Sequence, residues 1–260
     1  MSASEASTSD KVLTEQRGHV WIMTLNRPEA RNAFDLESAL ALEAALIRLD
    51  ENPELRVGVL AANGPAFSAG MDLKAFLRGE RPTTSRGFAG LTQVPPTKPL
   101  IAAVEGAAAG GGFELVLACD LIVASTTARF GLPEVKRGLV AAGGGVLRLP
   151  QRVSHTAAME WILTGEFVDA TIAHEQHLVN RLVEPGQALA AAVELAEAIA
   201  ANGPLAVAAS KAIVRESADW PSTETFERQR AYTEPVRASD DAREGATAFL
   251  ERRPPRWESR

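Results

Sequence analysis

The chain has 260 residues, 46% apolar and 23% charged, the make-up of an ordinary globular protein long enough to bury a sizeable core. Its formal net charge is −6, from 27 Lys and Arg against 33 Asp and Glu, which argues against general nucleic-acid binding, since phosphate affinity needs clustered cations. A single cysteine, Cys119, excludes an intramolecular disulfide and fits a reducing cytoplasm, and every apolar run is interrupted well short of the ~18 residues of a membrane-spanning helix.

Met1 to Asp10 is rich in Ser, Ala and Thr, lacks the basic start and apolar run of a secretory signal, and reads as a flexible tail. Val20 to Leu25 reads as a short strand, broken by Asn26-Arg27-Pro28. Asp35 to Leu49 places Leu36, Leu40, Ala44 and Ile47 at helical spacing, with Asp35 as N-cap. Val57 to Ala62 is a second strand, and a small-residue loop from Ala66 leads to a helix over Asp72 to Arg78. Arg81 to Gly90, with its Pro, Thr, Ser and Gly, reads as the most mobile internal segment. Leu100 to Glu105 is a strand, Phe113 to Cys119 a helix, Leu121 to Ala124 a strand, and Phe130 to Arg137 a loop. From Ser154 onward the pattern is helical, through Ala188 to Ala201, Leu205 to Ser217, Glu224 to Thr233 and Asp240 to Arg252. Strand–strand–helix units followed by helices argue for an α/β domain with a helical extension. The expected division is a tail over 1–10, a core over 11–198 and a C-terminal helical region over 199–260.

Two tracts are almost wholly Gly and Ala: Gly106 to Gly112, and Gly138 to Gly145. Gly110-Gly111-Gly112 directly precedes a helix. Such a junction either admits a polarised oxygen to free N–H groups at the helix start or packs a turn tightly. Without a following Gly-Lys-Ser/Thr it is not a phosphate loop. Glu114 lies in an otherwise apolar stretch, where a carboxylate is paired, hydrogen-bonded or shifted in pKa unless it faces solvent in the first helical turn. Glu134, after Pro133, is either an ordinary loop carboxylate or the partner of Glu114 in divided acid and base work. His174 and His177 lack a third ligand motif, so no metal site is expected. No Gly-x-Ser-x-Gly elbow of a serine hydrolase occurs.

Four stretches together resemble the crotonase (enoyl-CoA hydratase/isomerase) family: Asn26-Arg27-Pro28-Glu29-Ala30-Arg31-Asn32-Ala33; Ala66-Phe67-Ser68-Ala69-Gly70-Met71-Asp72-Leu73-Lys74; Lys98 to Gly106, running through Gly110-Gly111-Gly112-Phe113-Glu114 to Asp120; and Ala128-Arg129-Phe130-Gly131-Leu132-Pro133-Glu134. The likeness runs from about Val12 to the C-terminus. It implies a crotonase-type spiral of ββα turns, with C-terminal helices that build a trimer or a hexamer of two trimers. It implies a CoA thioester substrate and no separate cofactor. By position, the N–H groups of Met71 and Gly111 would form an oxyanion hole, Glu114 and Glu134 would be the catalytic carboxylates, and Ala30, Ala69, Asp72, Leu73 and Lys74 would line the CoA. The retained pair of carboxylates implies reversible addition of water to a 2-enoyl-CoA. The alternatives are a Δ3-to-Δ2 isomerase using Glu134 alone, and a catalytically inactive acyl-CoA-binding protein. Gly87-Phe88-Ala89-Gly90-Leu91-Thr92 and Gly144-Gly145-Val146-Leu147-Arg148-Leu149-Pro150 are similar to the carnitinyl-CoA dehydratase branch. Ala141-Ala142 departs from the Pro-Gly common in hydratases, and His177 stands where many relatives have Gly. The tail residue Trp257, or an Arg beside it, is expected to reach the CoA of a neighbouring subunit.

Overall fold

The computed structural model describes residues 10–259. All but the last residue of the stretch read as a tail lies outside the described residues. β1 (Val12–Arg17) and β2 (Val20–Leu25) pair as an antiparallel hairpin. After a 3-10 turn at Pro28–Ala30 comes α1 (Leu36–Glu51). Asp35 starts α1 as its composition suggests: the carboxylate accepts from Ser38 N at 2.9 Å while Ser38 Oγ accepts from Asp35 N at 3.0 Å, so two otherwise orphaned donors are satisfied reciprocally.

The chain then repeats one circuit, with a long strand in one sheet, a short strand in a second and a helical segment. The first is β3 (Val57–Ala62), β4 (Ala66–Ser68) and α2 (Leu73–Leu77). A small hairpin, β5 (Thr83–Thr84) and β6 (Gly87–Phe88), leads to the second: β7 (Leu100–Val104), β8 (Ala107–Ala109) and α3 (Gly111–Ala118). The third is β9 (Leu121–Ser125), β10 (Arg129–Gly131) and a 3-10 turn at Pro133–Arg137. There follow α4 (Gly145–Arg152), α5 (His155–Thr164), β11 (Val168–Asp169), α6 (Ala170–Glu175), β12 (Arg181–Val183), α7 (Ala188–Ala200), α8 (Pro204–Glu216), α9 (Thr225–Ala238) and α10 (Asp240–Glu251).

The long strands form a six-stranded sheet in the order β1-β2-β3-β7-β9-β12, parallel from β2 onward, and the short strands a sheet in the order β11-β10-β8-β4. Both faces of the large sheet are covered, which is why its strands read as continuous apolar runs. Met23, Leu60, Ala102 and Ile122 pack on the side of α1 and α3, while Ile22, Val59, Ile101 and Val123 pack on the side of α7. α7 meets the sheet with Ala188, Ala192, Ala196 and Ala200, one small residue per turn, all buried. α8 is tied back by Lys211, whose Nζ reaches Asp120 Oδ2 at 2.6 Å and Lys98 O at 2.8 Å.

Three segments show local structure that their composition did not announce. Arg81 to Gly90 is a structured hairpin: Thr84 Oγ1 and Ser85 Oγ donate to Glu43 Oε1 of α1 at 2.6 and 3.1 Å. Phe130 to Arg137 holds a short strand and a 3-10 turn rather than plain loop. Trp257 is engaged by its own chain, with Nε1 donating to Ala201 O at 2.8 Å and the ring packed over Gly203 and Gly245. His177 keeps the positive φ, +63°, expected where relatives have Gly. His174 Nδ1 lies 2.8 Å from Val179 O, a structural role.

Candidate active site

β4, β8 and β10 are hydrogen-bonded side by side in parallel, so the segments that follow them emerge at the same edge of the small sheet. Those segments carry Met71, Gly111 and Glu134. Stacking of the circuits therefore brings together residues far apart in the chain.

Met71 bridges Phe34, with Phe34 N donating to Gly70 O at 2.7 Å and Asp72 N to Phe34 O at 2.9 Å. This bridge uses the atoms flanking Met71 and leaves the Met71 N–H out of it. Gly111 is the first residue of α3, so its N–H has no acceptor within the helix and lies at the positive end of the helix dipole. The two segments touch: a Cβ on Gly70 would lie 2.8 Å from Gly111 N. The segment that carries the Met71 N–H thus adjoins the Gly111 N–H, the kind of approach that two donors to one oxyanion need. The Phe88 ring lies against Gly111, since a Cβ there would stand 2.5 Å from its Cε1, and Phe34 packs on Phe88 at 5.9 Å between centroids.

Glu114, one turn into α3, is 4% exposed. Gly145 N donates to its Oε1 at 2.9 Å. Burial raises its pKa above the ordinary value, opposed by the N–H groups of Gly145 and Gly143 and by the charge of Arg148. Glu134 approaches from the neighbouring circuit, and a Cβ on Gly110 would lie 2.8 Å from its Oε1. Only glycine suits position 110, where φ is +54° and ψ −124°. Glu134 Oε2 is buried with no hydrogen-bond partner among the described residues. Burial raises the Glu134 pKa, its own N–H lowers it, and the nearby Glu114 charge raises it further. Ala141 is buried and Ala142 exposed just ahead of Gly143, so the departure from Pro-Gly falls in the loop that holds Glu114.

The residues assigned to CoA lie on the Pro28–Ala30 turn and on the segment from Ala69 into α2. Ala69 N donates to Arg31 O at 2.9 Å, which joins this segment to the Pro28–Ala30 turn. Ala30 is half-buried, while Ala69, Leu73 and Lys74 are exposed. The Asp72 carboxylate is occupied internally: it caps α2 by accepting from Lys74 N at 2.9 Å and Ala75 N at 3.2 Å, and it accepts from Arg27 Nη2 at 3.1 Å. Sequence reasoning missed the packing of Phe88 against Gly111 and gave no role to Arg148. The signal for the second was the run Gly143-Gly144-Gly145 just ahead of it.

Residues 15–260 match the model of the enoyl-CoA hydratase/isomerase family. The chain is 41% identical over 256 residues to the enoyl-CoA hydratase EchA19 of Mycobacterium tuberculosis, covering 95% of this chain and 96% of that one. It is also 41% identical over 261 residues to the carnitinyl-CoA dehydratase of Salmonella enteritidis, covering 97% and 100%. Among solved structures, an enoyl-CoA hydratase of Mycobacterium tuberculosis H37Rv superposes with a TM-score of 0.95 at 53% identity, over 97% of this chain and 100% of that one. The chain belongs to the enoyl-CoA hydratase/isomerase, or crotonase, family.

Proposed function

We propose that the chain is a hydro-lyase that reversibly adds water across the double bond of a 2-enoyl-CoA thioester, with Glu114 and Glu134 as its two catalytic carboxylates. The observation that carries this reading is the unequal state of two carboxylates, Glu114 buried and Glu134 half-buried, beside two segments that offer backbone donors. Glu114 accepts from backbone N–H groups and has a cation behind it, whereas Glu134 has one oxygen unpartnered and is pushed up by burial and then by the Glu114 charge. Two interacting carboxylates divide into one ionised and one protonated member. Glu114 is then the ionised base and Glu134 the acid.

In hydration, the Met71 and Gly111 N–H groups hold the thioester oxygen as enolate charge develops on it, a contribution of ~10²–10³ in rate for each such donor. Glu114 takes a proton from water as the oxygen adds at the β-carbon. Glu134 delivers its proton to the α-carbon. Dehydration reverses these transfers. Ala30, Ala69, Leu73 and Lys74 would meet the CoA, Lys74 as a cation for phosphate, and Asp72 would act by holding α2 rather than by direct contact. We place the enzyme in the cytoplasm as a homotrimer or a hexamer of two trimers. Support for assembly comes from large apolar side chains left exposed on the C-terminal helices, among them Val214, Phe226, Phe249 and Leu250.

Crotonyl-CoA mixed with the protein should lose its conjugated enoyl-thioester absorbance, and Glu114→Gln and Glu134→Gln should each slow that loss by ~10²–10⁴-fold. Turnover of a 3-enoyl-CoA that survives Glu114→Gln would replace the hydratase by the isomerase. CoA binding with no turnover of either substrate would leave a binding protein.

A further inference from the structure

The proposed chemistry uses Glu114 but does not account for three successive glycines beside it, Gly143-Gly144-Gly145. On one side of this segment lies the carboxylate. Gly145 N donates to Glu114 Oε1 at 2.9 Å, and a Cβ on Gly143 would stand 2.7 Å from Glu114 Oε2. On the other side lies Arg148, one turn into α4. A Cβ on Gly144 would stand 2.1 Å from Arg148 Nη1, at a φ of +100° that itself favours glycine. Arg148 Nη1 donates to Gly143 O at 3.3 Å and its Nη2 to Thr92 O. A single thickness of backbone therefore separates a carboxylate from a guanidinium that stays charged in any protein. Thr92 closes the segment that carries Phe88, so the same guanidinium also ties down the segment whose ring lies against Gly111.

We propose that Arg148 is the positioning residue of Glu114: it fixes the glycine layer whose N–H groups aim the carboxylate, and it sets a permanent positive charge behind it. The inference rests on the reading of Glu114 as the base. Arg148 does not touch the reacting atoms. Glu114 is faced by Glu134 from the 3-10 turn and by Arg148 from α4, and Arg148 in turn by Arg152 on α4, Arg215 on α8 and Cys119 at the end of α3. Cys119 is fully buried and its thiol is pushed up to about 12, so it stays neutral. Within this set Arg148 is the cation that, with the Gly145 and Gly143 N–H groups, lowers the Glu114 pKa against the burial that raises it.

The test is the pH profile of kcat/KM for crotonyl-CoA hydration in the wild type, Arg148→Gln and Arg148→Lys, with Glu114→Gln as reference. Losing the charge disfavours the carboxylate, so Arg148→Gln should move the acid limb to higher pH and lower kcat by ~10- to ~100-fold, the scale of a misplaced catalytic group, with KM little changed. Arg148→Lys keeps the charge but not the two-pronged tether, and should leave the acid limb in place while kcat still falls. An acid limb unmoved in Arg148→Gln would overturn the proposal. If Arg148→Gln does not fold, a wild-type kcat in Arg148→Lys would overturn it instead. Full activity in Glu114→Gln would instead remove the base assignment on which it rests.

Discussion

Glu134 holds a carboxylate whose buried Oε2 has no partner among the described residues, an arrangement that stability alone would not favour. Its folded pKa is raised above the ordinary 4.5, by burial first and by the Glu114 charge as well. A group with a raised folded pKa contributes stability that is complete below its unfolded value and is lost as pH rises through the folded value. Near neutral pH the fold therefore gives up that stabilisation, because the unfolded chain ionises a carboxyl that the fold disfavours as an anion, the usual exchange of stability for activity. Glu134→Gln should accordingly melt above the wild type near neutral pH, with the difference shrinking towards zero below 4.5. Scanning calorimetry across that range checks it, and a difference that does not vary with pH would remove burial of the charge as the cause. Glu114 differs because its oxygens accept backbone N–H groups that a Gln side chain satisfies less well, so the same gain is not expected there.

The elements legible from sequence were those that bury a face with a period. β2, β3 and β9 showed as apolar runs, α1 announced itself by Asp35 and its spacing, and α7, α8 and α10 were placed within a residue or two. β4, β8 and β10 were not, because strands of only three residues, Ala-Phe-Ser, Ala-Ala-Ala and Arg-Phe-Gly, are too short for an alternation to be read. Their pairing is a matter of backbone, and neighbours distant in the chain decide it. β1 was also missed, since most of its residues face solvent as the outermost strand. The alanine row of α7 carries a consequence. One small side chain per turn lets the helix lie close to the sheet, so Ala192 and Ala196, both 0% exposed, have no room to grow. Ala196→Leu should destabilise the protein by ~1–3 kcal/mol through overpacking, measured by denaturant unfolding. Hydration activity at low temperature should be kept, because α7 lies on the sheet face opposite α3 and Glu114.

The candidate site itself is a product of the whole molecule. Met71, Phe88, Glu134 and Arg148 come from elements distant in the chain from α3, which carries Gly111 and Glu114, and no local pattern joins them. Resemblance to a family pointed to four of these residues, whereas Phe88 and Arg148 needed the fold. The same limit applies one level higher, to assembly. Phe249 is 84% exposed, Leu250 80%, Phe226 78% and Val214 76%, and large side chains this exposed on neighbouring helices mark an interaction surface more often than an isolated exposed Leu does. The Lys211–Asp120 pair holds α8 to the sheet, and Arg253 donates to Glu244 by two hydrogen bonds of 2.6 and 2.8 Å that fold the segment after α10 back onto that helix. Such exposed apolar side chains suit a contact with another chain. A ring of three copies closes a head-to-tail contact without leaving a free end. Light scattering behind size exclusion should give a mass of three or six chains. Phe249→Lys with Leu250→Lys should lower it, because an apolar contact cannot take two charges without large desolvation. A wild-type monomer would show that the patch serves another partner. An unaltered mass in the double variant would move the interface elsewhere.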